Sequence, residues 1–251
     1  MKLGYFTMPL HPVGRDWRQT LAEDREAILL ADRLGYEEAF VGEHVTDLAE
    51  TITSCLIFIA TLARDTKRIK LGSGTVNLAN RHPAAAAAEI AMVDTLLEGR
   101  FILGVGPGGL RSDAEMFGGL DADRNALFLE SIEHMIALWT QDPPYRLKGK
   151  IWNLTTERTW IADLGQGAML RPFQKPYPPI VITAILPASN GIAAAAERGW
   201  APISANFVHP WVIATHWPKY VEGCARSGRE AKTGAWRRVS SLPMTMRPCG
   251  A

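Results

Sequence analysis

Arg68-Ile69-Lys70-Leu71-Gly72, then Pro83 opening an alanine-rich run that reaches Leu97, then Gly99 and Arg100-Phe101-Ile102-Leu103-Gly104-Val105: this stretch decides the fold. Short apolar runs flank a segment that opens with proline at a first helical position and stops at glycine, so it reads as strand, helix, strand. Alanine from Ala84 to Ala88 is helix propensity rather than low complexity. Working outward, Leu3 to Met8 is a strand followed by Pro9, Pro12 and Gly14. Thr20-Leu21-Ala22-Glu23 fits a capping box for a helix closed by Gly35, and Glu38 to Gly42 is a second strand. Ser54 to Arg64 is a helix leading into the strand at Arg68. Strands thus begin about every 32 residues, the length of a strand-plus-helix unit, and such alternation implies a parallel sheet. The fold class is α/β, with a (β/α)8 barrel as the expected architecture.

The rhythm breaks after a helix from about Arg124 to Thr140. Residues 141–179 carry Pro143, Pro144, Trp152, Trp160, Pro172, Pro176 and Pro178 and read as an insertion of loops with a hairpin. Ile180 to Ala184 is the fifth strand, Asn190 to Arg198 a helix closed by Gly199, and Ala201 to Ser204 the sixth strand. A seventh strand begins at Trp236, after which Leu242 to Cys249 offers no strand pattern. A single domain over 1–251 is expected, shortened at its C-terminus, with strand eight and part of strand seven missing and with sheet edges for a partner or insertion to cover.

Composition bounds the function. The chain has 251 residues, 27 Lys+Arg and 26 Asp+Glu, so its net charge of +1 offers no basic patch for a nucleic-acid backbone. The longest apolar stretch, around Cys55 to Ala63, falls short of the ~20 residues that span a bilayer. The N-terminus lacks a signal-peptide pattern, so the expected location is cytoplasmic. Cys55, Cys224 and Cys249 have neither disulfide nor zinc spacing.

Several segments at strand ends carry candidate chemistry. Glu43 and His44 follow strand two, where a parallel barrel forms its active-site face. A metal reading of Glu43, His44 and Asp47 lacks the further ligands a barrel hydrolase needs. Gly72-Ser73-Gly74-Thr75-Val76-Asn77 ends strand three with two glycines, consistent with either a twisted strand end or close approach to a flat ligand. Gly104-Val105-Gly106-Pro107-Gly108-Gly109 matches a dinucleotide fingerprint, yet Pro107 removes a donor, no helix is read before Arg124, and four strand–helix units precede it. Pro187-Ala188-Ser189-Asn190-Gly191 precedes a helix and suits either an ordinary cap or an anion. His11, His82 and His209 lie in loops or at helix starts, and His134 reads as a solvated or satisfied side chain.

Leu3-Gly4-Tyr5-Phe6, Val41-Gly42-Glu43-His44, Gly72 to Val76 with His82-Pro83, Leu97-Glu98-Gly99-Arg100-Phe101 and Ala196-Glu197-Arg198-Gly199 together resemble the bacterial luciferase-like flavin monooxygenases. Met8-Pro9-Leu10-His11-Pro12 and Gly106 to Leu110 look most like their limonene-monooxygenase-like branch. The resemblance implies a luciferase-type (β/α)8 TIM barrel. It would bind reduced FMN supplied by a separate flavin reductase and use O2 to insert one oxygen atom into a small, mostly apolar substrate. His44 matches the catalytic histidine, with Glu43 beside it influencing its protonation. Gly74 and Thr75, where relatives often carry a non-proline cis peptide, map under the flavin ring, with Asn77 and Gly106 nearby. Ala184, Ser189, Asn190 and Gly191 match flavin and phosphate contacts. The chain has Val45 where many members have a second histidine, and Pro107 where some place a phosphate-binding arginine, leaving Arg111 and Arg124 as substitutes. Dimerisation is implied by resemblance alone. The alternatives are an F420-dependent oxidoreductase of the same superfamily and a non-catalytic flavin-binding shortened barrel.

Overall fold

The computed structural model describes residues 4–205, 207–232 and 237–238. Strands β1 (Gly4–Thr7), β2 (Glu38–Val41), β3 (Lys70–Ser73), β4 (Val76–Asn77) and β5 (Phe101–Gly106) alternate with helices α1 (Trp17–Arg33), α2 (Cys55–Leu62) and α3 (Pro83–Leu96). Then come α4 (Arg111–Met116), α5 (Arg124–Thr140), a hairpin of β6 (Arg146–Lys148) and β7 (Asn153–Thr155), β8 (Ile180–Ala184), α6 (Asn190–Glu197), β9 (Ala201–Ser204), α7 (Pro210–Arg226) and β10 (Arg237–Arg238). The central sheet runs β1-β2-β3-β5-β8-β9-β10, with β4 extending β3 along β5, and every pairing in it is parallel. It is a curled α/β sheet with successive strands one helix apart, the arrangement of a (β/α)8 barrel. The seventh strand is β10, and residues 239–251, where the missing-strand expectation falls, lie outside the described residues.

Alternation along the strands separates two apolar layers. Phe40, Ile102, Val181 and Ile203, with Phe6 and Ala201 against them, fill the concave side of the sheet. Val41, Leu71, Leu103 and Val105 point the other way and pack with Ile28, Ile59, Ile90 and Trp139 from the helices. Proline starts two helices, α3 and α7, in one manner. Pro83 and Pro210 occupy first helical positions, and the preceding His82 and His209 cap through ring Nδ1, which accepts from Ala84 N and Trp211 N at 3.3 Å.

Three local expectations change. Helix α1 begins one turn before the Thr20 box, because the Asp16 carboxylate takes the Arg18 and Gln19 amides; Thr20 is buried and its hydroxyl bonds Trp17 O. Helix α7 is not expected from the sequence pattern, because Pro218 lies inside it and obscures the periodicity. Helix α4 follows Gly109 closely, so one ground for rejecting a dinucleotide loop fails, while Pro107 and the four preceding units still argue against one.

Between β3 and β5 the regular ladder stops after Gly72–Ile102, and the Ser73 hydroxyl takes over, donating to Gly104 O at 2.7 Å and accepting from Gly104 N at 2.9 Å. A Cβ on Gly104 would lie 1.8 Å from Ser73 O. Gly104→Ala is therefore expected to destabilise by about 3 kcal/mol, lowering the thermal midpoint by about 6–12 °C. Gly109→Ala, whose Cβ meets nothing within 4 Å, should stay within about 0.5 kcal/mol of the parent in the same melts.

Candidate functional site

His44 leaves the C-terminal end of β2 half-buried, its backbone N–H donating to Ile52 O at 3.2 Å. Its ring Nδ1 pairs with the Glu50 carboxylate, and both side chains are mostly shielded from solvent. The Glu50 hydrogen bond raises the His44 pKa, burial opposes it, and the charges of Glu50, Asp113 and Asp47 add to the rise. Glu43 is not the partner that sequence proximity suggested. Successive residues of an extended segment point to opposite sides, and Glu43 turns inward, 5% exposed, to a different set of groups. Its Oε1 accepts Asn77 N at 3.0 Å, and its Oε2 accepts Cys55 N at 3.0 Å, Cys55 Sγ–H at 3.1 Å and Arg81 Nη2 at 3.2 Å. Asn77 Nδ2 returns a bond to Glu43 O at 3.2 Å. Glu43 thus joins the ends of β2 and β4, the start of α2 and Arg81. Beside it opens a cavity of about 280 Å3 lined by Glu43, Val45, Asn77, Asn80, Arg81 and Phe117.

The cis peptide falls between Gly74 and Thr75. Thr75 Oγ1 donates to Asn77 Oδ1 at 3.2 Å, and a Cβ on Gly106 would come within 3.1 Å of that hydroxyl. Gly74, Thr75, Asn77 and Gly106 are therefore brought together at adjacent strand ends. Arg124, at the start of α5, reaches under the following loop, where Nη2 donates to Pro107 O at 2.5 Å and Asn80 Oδ1 at 2.9 Å. Its Nη1 is buried with no hydrogen-bond partner, and among the described residues Arg124 belongs to no ion pair. A buried cationic donor without an acceptor suits an anionic group of a ligand. Arg111 is exposed on α4 and has no comparable anchorage.

Ser189 caps α6, its Oγ accepting from Gly191 N at 3.2 Å, and Asn190 Oδ1 accepts from Lys219 Nζ at 3.0 Å. Lys219, which no motif marked, sets a cation beside that helix start; α7 supplies it, and α7 was the element the sequence hid. Ala184 faces away from the strand ends: it packs among Ile192, Ala196, Tyr220 and Cys224, so any ligand contact from it is through backbone. No described hydrogen bond joins Arg124 or Arg111 to the Ser189 turn. His134 is buried rather than solvated, with Nδ1 on Glu130 O at 2.9 Å and Nε2 without a partner. His11 pairs with Asp24 at 3.0 Å. Among the described residues no group of three or more metal-ligating side chains occurs, and no helix is long and apolar enough to cross a membrane.

His216 of α7 holds the turn that carries Ser189. Fully buried, its Nδ1 bonds the Ser204 hydroxyl at 2.9 Å and its Nε2 meets Leu186 O at 3.1 Å. Burial lowers its pKa and the Leu186 bond only partly offsets this.

Two measurements check these assignments. Glu43→Ala leaves two buried backbone amides without their acceptor and takes from Arg81 the buried one of its two carboxylates, and urea unfolding should show a loss of about 3–5 kcal/mol. The neutral, buried His216 gives the unfolded chain the higher proton affinity. Its contribution to stability is complete above the unfolded value of roughly 6.5 and is lost as pH falls from there through the lower folded value. Urea midpoints should fall with acidification across that window, and less steeply in His216→Leu.

The Luciferase-like monooxygenase family model matches residues 1–248. The chain is 34% identical to the 4-hydroxyprotoasukamycin monooxygenase of Streptomyces nodosus subsp. asukaensis, over 96% of this chain and 64% of that protein. It is 29% identical to the limonene 1,2-monooxygenase of Rhodococcus erythropolis, over 93% and 58%. Its fold superposes with a TM-score of 0.87 on the oxygenating constituent of 3,6-diketocamphane monooxygenase from Pseudomonas putida, a type II Baeyer-Villiger monooxygenase in complex with FMN. That match has 27% identity and covers 95% of this chain and 66% of that one. The chain spans 58–64% of the length of these two curated relatives. With that family model matched over nearly the whole chain, on a sheet of parallel strands alternating with helices, the chain belongs to the luciferase-like monooxygenase family.

Proposed function

We propose that this chain binds FMN at the C-terminal ends of its parallel strands and acts as the oxygenase component of a two-component monooxygenase. A separate reductase delivers the flavin reduced, the chain itself working in the cytoplasm, and one atom of O2 enters a small, mostly apolar organic substrate. The observation that carries the reading is the convergence at one end of the sheet of three unlike features. These are an imidazole anchored through one nitrogen, a strand-end surface of Gly74, Thr75 and Gly106, and a buried arginine donor with no acceptor of its own. They fit the parts of a flavin: His44 the reacting edge, the glycine surface the ring, and Arg124 or the Ser189–Gly191 turn the phosphate. The FMN complex of the 3,6-diketocamphane enzyme, on which this fold superposes with a TM-score of 0.87, supports the same choice.

Reduced flavin supplies the electrons that activate dioxygen. The chain's own part is to bind, orient and move a proton. His44 Nε2 would give or take the proton at the reacting edge. Glu43 acts at one remove, fixing the strand ends through Asn77 N and Arg81. An apolar substrate is supported by the segments leaving the strand ends, which expose Leu10, Val45, Leu48, Ile185, Leu186 and Phe207.

Anaerobic melts test the cofactor. At about 100 times the dissociation constant, reduced FMN should add ~2.7 kcal/mol, and Arg124→Ala should weaken binding by roughly ten- to a hundredfold. A shift with reduced F420 alone would replace the monooxygenase by a hydride-transfer enzyme, and no shift with either would remove the flavin reading.

A further inference from the structure

No motif marks Glu50, yet its carboxylate is the one described side chain that holds the His44 ring. The segment between them is fixed at several points that do not use that carboxylate. Asp113 of α4 accepts Val45 N at 3.1 Å and Thr46 N at 2.8 Å, and the Thr46 hydroxyl donates to it at 2.5 Å. Asp47 accepts Ala49 N at 2.8 Å, His11 N donates to Ala49 O at 2.8 Å, and Trp17 Nε1 donates to Thr51 O at 2.8 Å. Backbone pairing of Leu10 with Glu50 closes the loop against the segment that leaves β1. A loop so heavily tied by its backbone keeps its path without the Glu50 side chain. That side chain, 17% exposed, is turned to His44 Nδ1. Among the described residues no hydrogen bond is made to His44 Nε2.

We propose that Glu50 is a positioning residue for His44: it accepts the Nδ1 hydrogen, fixes the ring, and leaves Nε2 as the nitrogen that exchanges a proton with a ligand at the strand ends. The neutral ring is then the Nδ1–H tautomer, whose Nε2 lone pair is a base; the charged ring presents Nε2–H as an acid. Three carboxylates bear on the ring's charge, Glu50 and Asp47 from its own segment and Asp113 from α4, while Glu43 is neutralised by Arg81 and turned away. The catalytic meaning of this arrangement rests on the function proposed above, but the arrangement itself can be read in the chain without flavin.

The experiment is a pH titration of the ligand-free chain labelled with 15N-histidine, following ring nitrogen–carbon-bound proton correlations. His44 is assigned by the signal lost in His44→Gln, and the six histidines keep the spectrum tractable. Wild type should show His44 neutral as the Nδ1–H tautomer and titrating above the ordinary histidine value. Glu50→Gln should keep that tautomer, because its amide oxygen still accepts, and shift the titration downward. Glu50→Ala should lose both. Glu157→Gln, on the distant hairpin, should change neither. An Nε2–H tautomer in wild type, or an unshifted titration in Glu50→Gln, overturns the proposal, and the glutamine variant decides the matter even if the alanine one fails to fold. Adding reduced FMN to the same samples under anaerobic conditions separates the two claims. His44 changes without flavin binding leave Glu50's role standing and sink the function, whereas flavin binding with an unperturbed His44 does the reverse.

Discussion

The rest of the site hangs on one buried carboxylate. Glu43 sits where β2 ends and accepts the amide that begins α2, the amide at the end of β4 and the guanidinium of Arg81. Strand ends in a parallel sheet leave backbone donors without ladder partners, and burial of an unpaired amide costs about 1–3 kcal/mol. A carboxylate with two oxygens answers several of them at once, and Arg81, itself bridged to Glu89 at 2.8 Å, neutralises it. The His44 backbone is thereby held at a fixed place relative to Thr75 and Asn77.

The same device recurs around the sheet. Asp32 at the end of α1 accepts the amides of Lys67, Arg68 and Ile69, anchoring the start of β3; burial tends to raise its pKa, and the three amides outweigh it. Asp94 holds Gln174 and with it the return from the insertion, while Asp113 holds the loop beyond His44. These acids are spent on backbone donors. The Cys55 thiol lies against Glu43, where burial first and the carboxylate second push it far up, so it is a packed donor rather than a nucleophile.

The strand–helix alternation was legible because hydrophobic pattern, proline at helix starts and glycine at helix ends all speak locally. Gly35 and Gly99 stop their helices at positive φ, and the fifth and sixth strands match the expected residues. The failures have physical causes. Thr20 and Asp16 compete as caps, and only geometry shows which carboxylate or hydroxyl reaches the free amides. Pro218 disguised α7, and with it Lys219 and His216. Candidate site residues that sit on a motif, such as His44 and the Gly74–Thr75 turn, are marked by the resemblance. Their partners are not, because Glu43 and Glu50 are both acids near one histidine in sequence and only the chain path assigns the ring to Glu50. The resemblance offers Arg124 only as a substitute for a missing arginine; its unpartnered nitrogen emerges only once Pro107 O and Asn80 have claimed the other.

On the proposed function, the ligand site lies where β2, β3 and β5 end, facing His44 Nε2. A crystal structure of the chain grown with FMN tests it most directly. The flavin ring is expected over Gly74–Thr75 and Gly106, with its reacting edge toward His44 Nε2 and its phosphate on Arg124 Nη1 or the Ser189–Gly191 turn. Flavin bound away from these strand ends, for instance against the insertion hairpin, would contradict it.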